Sequence, residues 1–243
     1  MIETNELSRH YGSLVAVDRL SFSVKAGEVL GFLGPNGAGK TTTMRMIAGF
    51  VRPTHGSVSV GGFSLEDQPL EAKRLIGYLP EGAPAYGDMT PREFLCFIAD
   101  LRKLAGSHRQ QRFDEVVARL NLGAVLDQRI ETLSKGFKRR VGLAQAILHD
   151  PAVLILDEPT DGLDPNQKHE VRQLISSMAE DKTIIISTHI LEEVDAVCNR
   201  AMIIAQGRRV LDETPAQLIA RSPNGRLDEV FREVTAQQRE PTV

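Results

Sequence analysis

Tryptophan is absent from this 243-residue chain, and aromatic residues make up only 5% of it. A surface that stacks nucleic-acid bases draws on aromatic faces, so that class of function is disfavoured. An excess of basic charge is missing as well: 29 Lys and Arg stand against 32 Asp and Glu, for a net charge of -3. Non-specific binding to a phosphate backbone needs the opposite balance, and no nucleic-acid partner is expected. The two cysteines, Cys96 and Cys198, lie far apart in apolar or helical stretches without metal-ligand spacing. They read as buried free thiols of a reducing compartment. No run of about 18 apolar residues occurs, so no membrane-crossing helix is expected. Met1 to Glu6 lacks the basic-then-apolar pattern of a secretory signal, and a cytoplasmic location is the expectation. What is present suits a folded domain: 42% apolar and 25% charged residues exclude a disordered, collagen-like or coiled-coil chain. The length fits one sizeable domain, or a domain carrying an inserted subdomain.

Apolar patterning divides the chain. Residues 2–9, 20–24 and 57–60 alternate polar and apolar side chains between turn glycines, which predicts strands. Residues 29–33, 152–156, 183–187 and 201–205 are short continuous apolar runs. Such runs suit strands buried on both faces, hence a mostly parallel sheet covered by helices, and an α/β fold. Val171, Leu174, Ile175 and Met178 mark one helical face. From about Asp88 to His149 the pattern is helical with no convincing strand. Thr90-Pro91-Arg92-Glu93 is a capping box with Pro at the first helical position. Phe94, Phe97, Ile98 and Leu101 follow at helical spacing, Phe113, Val116, Val117 and Leu120 mark a second helix, and a third runs from Ser134 to His149. The expected division is an α/β core over 1–87 and 150–215, a helical insert over 88–149, and a tail over 216–243. Within it, Ser222 to Val243 has a turn at Pro223-Asn224-Gly225, one short helix and a polar end expected to fray.

The strongest chemical signal is Gly34-Pro35-Asn36-Gly37-Ala38-Gly39-Lys40-Thr41, a full GxxxxGK[ST] pattern followed by Thr42. It sits directly after the apolar run 29–33 and before a helical pattern with Met44, Ile47 and Ala48. Glycines let the backbone curl so that N–H groups form an anion nest, and the following helix aims its positive end at the same place. Lys40 is placed to reach the β- and γ-phosphates of a nucleotide, and the Thr41 hydroxyl to ligate Mg2+. A second signal is Val153-Leu154-Ile155-Leu156-Asp157-Glu158, an apolar strand ending in two carboxylates. Open α/β sheets bind ligands at such strand ends. Asp157 would hold Mg2+, and Glu158 would polarise an attacking water as general base.

With these motifs in place the chain resembles the ATP-binding subunit of ABC transporters over nearly its whole length. The resemblance implies a P-loop NTPase core with an antiparallel β subdomain and an inserted helical subdomain. It implies that Tyr11 stacks on adenine, although a strand-end tyrosine needs no such role. Leu133-Ser134-Lys135-Gly136-Phe137 stands at the family's signature position, where Ser134 and Gly136 would contact the γ-phosphate held by the opposite subunit. Ser134 is also a good helix N-cap in its own right, and a capped N-terminus attracts phosphate. Asp161-Gly162-Leu163-Asp164 is similar to the loop that follows the subunit boundary, with Asp164 among the nucleotide-contacting residues. His189 matches the switch histidine that hydrogen-bonds the γ-phosphate, joining Lys40 and Glu158 as catalytic candidates. The other histidines, His10, His55, His108, His149 and His169, read as surface or cap residues.

Two departures from the family pattern stand out. Glu81 occupies the place of the usual Gln after Ile76-Gly77-Tyr78-Leu79-Pro80. An ionised carboxylate can bind Mg2+ or water but cannot donate a hydrogen bond. The signature reads Leu-Ser-Lys-Gly-Phe instead of Leu-Ser-Gly-Gly-Gln, and Lys135 either adds charge near the opposite nucleotide or points to solvent. Both departures resemble exporter-type ATPases that pair with separate membrane subunits, as in gliding-motility, copper-site-maturation and drug-export systems. The 227–235 stretch is similar to that branch too. Arg139 and Arg140, beside Lys135 and Lys138, read as a solvated helix face. The resemblance implies ATP and Mg2+ as ligands, an integral membrane permease and a second ATP-binding subunit as partners, a homodimer being the first expectation. It also implies a location on the inner face of the cell membrane. A soluble ATPase acting on ribosomes or DNA is the alternative, disfavoured because only one cassette and no heptad stretch is present.

Overall fold

Runs of Val, Ile and Leu too apolar to face water on either side form the centre of the molecule. The computed structural model describes residues 1–83 and 85–236. In chain order the elements are β1 (Ile2–Tyr11), β2 (Leu14–Val24), β3 (Val29–Leu33), α1 (Lys40–Ile47), β4 (His55–Val60), β5 (Phe63–Ser64), α2 (Pro69–Arg74), β6 (Ile76–Leu79) and α3 (Pro91–Leu101). There follow α4 (Gly106–Arg119), α5 (Lys135–Ile147), β7 (Val153–Asp157), α6 (Pro165–Met178), β8 (Thr183–Thr188), α7 (Leu191–Val197), β9 (Arg200–Ala205), β10 (Arg208–Glu213), α8 (Pro215–Ala220) and α9 (Leu227–Ala236). The polar end beyond 236, expected to fray, lies outside the described residues.

A six-stranded sheet runs in the order β10-β9-β3-β8-β7-β6 and a four-stranded sheet in the order β2-β1-β4-β5. In the larger sheet β9, β3, β8, β7 and β6 are parallel and only β10 is antiparallel. The smaller sheet is antiparallel throughout. Period-two alternation sends the two faces of the larger sheet into different cores. Val153 and Ile155 of β7 join Leu30, Phe32 and the α1 residues Met44 and Ile47, between the two sheets. Leu154 and Leu156 join Leu33, Ile184 and Ile186 on the other face, packed with Val141 and Leu143 of α5 and Val171 of α6. Residues 88–149 hold α3, α4, α5 and two short 3-10 turns, and their apolar residues are continuous with that second core. Thr90 and Glu93 make the reciprocal bonds of a capping box at α3, and Ser134 caps α5 by accepting from the Phe137 N–H at 3.3 Å.

Several expectations need correction. Arg139 is not on a solvated face: it is 4% exposed, and its guanidinium bonds backbone carbonyls inside the protein. Arg140 is half-buried, paired with Glu170 at 2.7 Å and lying over the Phe137 ring. Cys198 is buried, its thiol pushed up to about 12 by desolvation, but Cys96 is only partly buried. β2 begins at Leu14, not Leu20, because three register shifts along the β1–β2 pair keep the strands together through a bent ribbon.

His149, read as a surface or cap residue, is half-buried, with Nε2 3.1 Å from the Ile76 carbonyl and a buried Nδ1 without a partner. Burial, helped by the Arg102 charge, pushes its pKa down to about 4. The unfolded chain therefore takes up a proton that the fold refuses between pH 6.5 and 4, and the stability contributed by neutral His149 is lost across that window on acidification. Denaturant titrations at stepped pH are expected to show wild type losing on the order of 2–3 kcal/mol more than His149→Gln between those limits.

Candidate functional site

The carboxyl ends of β3, β7 and β8 lie side by side, and the loops leaving them carry the chemical motifs. Leu33 pairs in register with Thr188, and Asp157 with Ser187. The glycine-rich loop leaves β3, the Asp157-Glu158 pair ends β7, and His189 follows β8. Parallel pairing alone thus brings together residues that are far apart in sequence.

The loop is shaped by backbone conformations open to glycine. Gly39 is the N-cap of α1 at φ 101°, and a Cβ there would lie 2.5 Å from the Ala16 carbonyl oxygen. The first turn of α1 leaves N–H groups without helical partners facing the loop. Lys40 is 6% exposed, and its ammonium donates to the carbonyls of Gly34 at 2.8 Å and Pro35 at 3.3 Å. It also stands 4.0 Å from Glu158 Oε1. Burial lowers the Lys40 pKa, opposed by Glu158, Asp157 and Glu81.

Asp157 is fully buried. Its Oδ1 accepts from Thr41 Oγ1 at 3.3 Å and from Ser187 Oγ, while Oδ2 is buried without a partner. A carboxylate oxygen left so is costly unless something else meets it. With the Thr41 hydroxyl beside it, this donor set of hard oxygens fits a small divalent cation such as Mg2+. Glu158 sits in the left-handed region at φ 51°, unusual for a side chain with a Cβ. Its N–H donates to the Ser187 carbonyl and to Ser187 Oγ, each at 3.1 Å, and its Oε2 lies 2.9 Å from His189 Nδ1. Burial raises the Glu158 pKa, partly offset by His189 and Lys40.

Lys40, Thr41, Glu158 and His189 line an open cleft of about 530 Å³. Of the residues singled out from the sequence, Tyr11, Asn36, Gly37, Ala38, Gly39, Lys40, Thr41, Thr42, Glu81, Glu158, Asp161 and His189 face it. Gly34, Pro35 and Asp157 lie behind it. Ser134, Gly136 and Asp164 do not line it. Ser134 is exposed at the N-terminus of α5, and Asp164 caps α6 by accepting from Asn166 and Gln167. Lys135 is exposed. At the far end of the cleft Tyr11, Leu14 and Val15 are exposed apolar residues, with the Arg9 guanidinium 4.5 Å from the Tyr11 ring centroid. Leu14, Val15 and Ala16 were not anticipated, and neither was Ser187, which bonds both Asp157 and Glu158. The buried carboxylate of Glu193 accepts from Thr160 and, at 2.7 Å, from Thr188, tying the loop after Glu158 to the strand end before His189. A polar residue inside an apolar strand, as Ser187 is, was the only trace of this second layer in the sequence.

A phosphate-binding loop with two carboxylates and a histidine at adjoining strand ends defines a nucleotide hydrolase of the P-loop class. The family model described as ABC transporter matches residues 17–161. The bacitracin transport ATP-binding protein BcrA of Bacillus licheniformis is 42% identical over 217 residues, covering 88% of this chain and 70% of that one. The Nod factor export ATP-binding protein I of Paraburkholderia xenovorans is 37% identical over 95% of this chain and 76% of its own. A solved ATP-binding subunit of an ABC transporter superposes with a TM-score of 0.88 at 31% identity, covering 97% of this chain and 99% of that one. The chain belongs to the ABC transporter family, as an ATP-binding subunit that hydrolyses ATP, and the non-transport alternative is set aside.

Two glycines of the loop separate steric closure from backbone strain. Gly37 also has positive φ, but a Cβ there meets nothing within 4 Å. Gly39→Ala is therefore expected to weaken binding of a fluorescent ATP analogue by more than tenfold and to lower stability by about 1–3 kcal/mol, and Gly37→Ala to do distinctly less of both.

Proposed function

We propose that the cleft is one half of an ATP hydrolysis site, and that a second copy of this chain completes it. The observation that carries the proposal is the separation within one copy: the phosphate loop, Glu158 and His189 share the cleft, while Ser134 at the start of α5 lies outside it, exposed, with Gly136 buried beside Gln167. A helix N-terminus attracts phosphate, and this one does not line the cleft of its own copy.

Tyr11, with Leu14 and Val15, takes the adenine. The N–H groups of residues 36–42 and the Lys40 ammonium grip the phosphates. Lys40 is now folded onto the Gly34 and Pro35 carbonyls, so nucleotide binding exchanges those acceptors for phosphate oxygens. Thr41, Asp157 and Glu81 are the residues that would hold Mg2+, which supplies charge neutralisation on the phosphate oxygens. Glu158 accepts a proton from the attacking water, and its raised pKa suits it to the task. His189, now bonded to Glu158, would turn to the γ-phosphate. Ser134 and Gly136 approach from the other copy, and Asp164 lies near the same boundary. Closure of the pair is favoured only while the γ-phosphate is present, which makes the nucleotide a differential ligand for two states.

A permease subunit in the membrane is the partner this motion serves, and the protein works peripherally on the inner membrane face, in export. Among the described residues no helix is long and apolar enough to cross a membrane. A second groove of about 790 Å³ runs beside the end of β6, where Phe50, Leu70 and Leu101 stand 71%, 68% and 63% exposed. Apolar residues grouped in this way suit a segment of that permease.

The role of Glu158 is tested by steady-state phosphate release. Glu158→Gln is expected to lose turnover by at least about 100-fold while binding ATP with near wild-type affinity. Turnover close to wild type would remove Glu158 from the mechanism.

A further inference from the structure

Among the described residues, Arg139 is the one buried guanidinium that touches the backbone of a proposed catalytic residue. It sits on α5 one turn beyond Gly136 and is 4% exposed. Burying such a charge is expensive unless hydrogen bonds meet it. Among the described residues it forms no ion pair. Its Nη2 donates to the Glu158 carbonyl, and its Nη1 lies 3.4 Å from the Pro80 carbonyl. Both acceptors already have a backbone donor, Asp161 N–H at 3.1 Å on Glu158 and Ala83 N–H at 3.1 Å on Pro80. Arg139 is therefore not needed to satisfy them, and what it adds is a link between elements.

The link falls at a turn with an uncommon backbone: Glu158, like seven other non-glycine residues among those described, holds φ in the left-handed region, at 51°. Its N–H is fixed by Ser187, its side chain meets His189, and its carbonyl is met from α5 by Arg139. The same guanidinium reaches the residue before Glu81, another cleft residue. The N-terminus of this helix carries Ser134 and Gly136.

We propose that Arg139 is a positioning residue that holds Glu158 in its left-handed conformation and ties it to the helix whose capped end engages the partner copy's nucleotide. The inference rests on the reading of Glu158 as general base. Engagement of α5 across the dimer is then felt, one turn along the same helix, at the copy's own Glu158. Pairing and hydrolysis are coupled through a rigid element, not through the loops alone.

The test compares Arg139→Gln and Arg139→Lys with wild type for phosphate release, for affinity towards a fluorescent ATP analogue, and for Mg·ATP-driven pairing followed by sedimentation. In Arg139→Gln, kcat is expected to fall by about 10- to 100-fold, the scale of a misplacement near 1 Å, while ATP affinity and pairing stay within about threefold. Arg139→Lys, whose single ammonium still reaches a carbonyl, recovers part of kcat. A kcat within about twofold of wild type in Arg139→Gln would overturn the proposal, and so would parallel loss of kcat, affinity and pairing, the mark of a merely structural pin. Should the glutamine variant not fold, Arg139→Lys decides alone: lowered kcat at unchanged affinity supports the role, and wild-type kcat ends it. Glu158→Gln run alongside keeps the claims apart. If it still turns over, the base role fails, whereas if it is inactive beside fully active Arg139 variants, only the role of Arg139 fails.

Discussion

The Asp157 carboxylate is the fixed point around which the site is arranged. It is fully buried at the end of a central strand, bonded through one oxygen to Ser187 on the neighbouring strand and to Thr41 on the phosphate loop. One acceptor thereby sets the relative positions of three chain segments. Its other oxygen is buried without a partner among the described residues. The meeting of these segments follows from the parallel sheet. Strands buried on both faces can end only at the sheet edge, and their loops must share that edge.

What the sequence made legible was local. The run Val29–Leu33 is a strand with those bounds, the capping box at Thr90 and Glu93 forms both of its bonds, and Ser134 caps its helix. Each of those signals depends on residues within a few positions of one another. The phosphate loop was legible for the same reason, since its glycines, lysine and threonine act on one backbone turn. Arg139 was misread because its acceptors are 19 and 59 residues away. Helical spacing placed it beside Arg140 and Lys138 and could not say that the carbonyls of two strand-end loops come to meet it. Ser187 and Glu193 were missed likewise, because their partners become neighbours only when the strands pair. His149 shows the converse: a polar residue after a helix looks like a cap until the neighbouring Ile76 carbonyl and two arginines enclose it.

The site is built in two layers, and they carry different parts of the function. Lys40, Thr41, Glu158 and His189 face the cleft and would meet the nucleotide. Ser187, Glu193 and Arg139 are buried behind them and meet only protein, through bonds to Asp157, Thr160, Thr188 and the Glu158 backbone. With Glu158 as the proposed general base, this hidden layer would set the geometry on which turnover depends, because misplacement by about an ångström is costly in rate. It also joins α5 to the turn at Glu158, through the bond from Arg139 to that carbonyl.

The central claim is that one copy contributes the phosphate grip and the other the capped helix. Mixing two chains, one carrying Lys40→Met and the other Ser134→Arg, tests it most directly. Each chain alone is expected to be inactive in Mg·ATP, and the mixture to recover turnover, because a mixed pair contains one site with an intact loop from one chain and an intact helix end from the other. A mixture as inactive as its components would contradict the shared site.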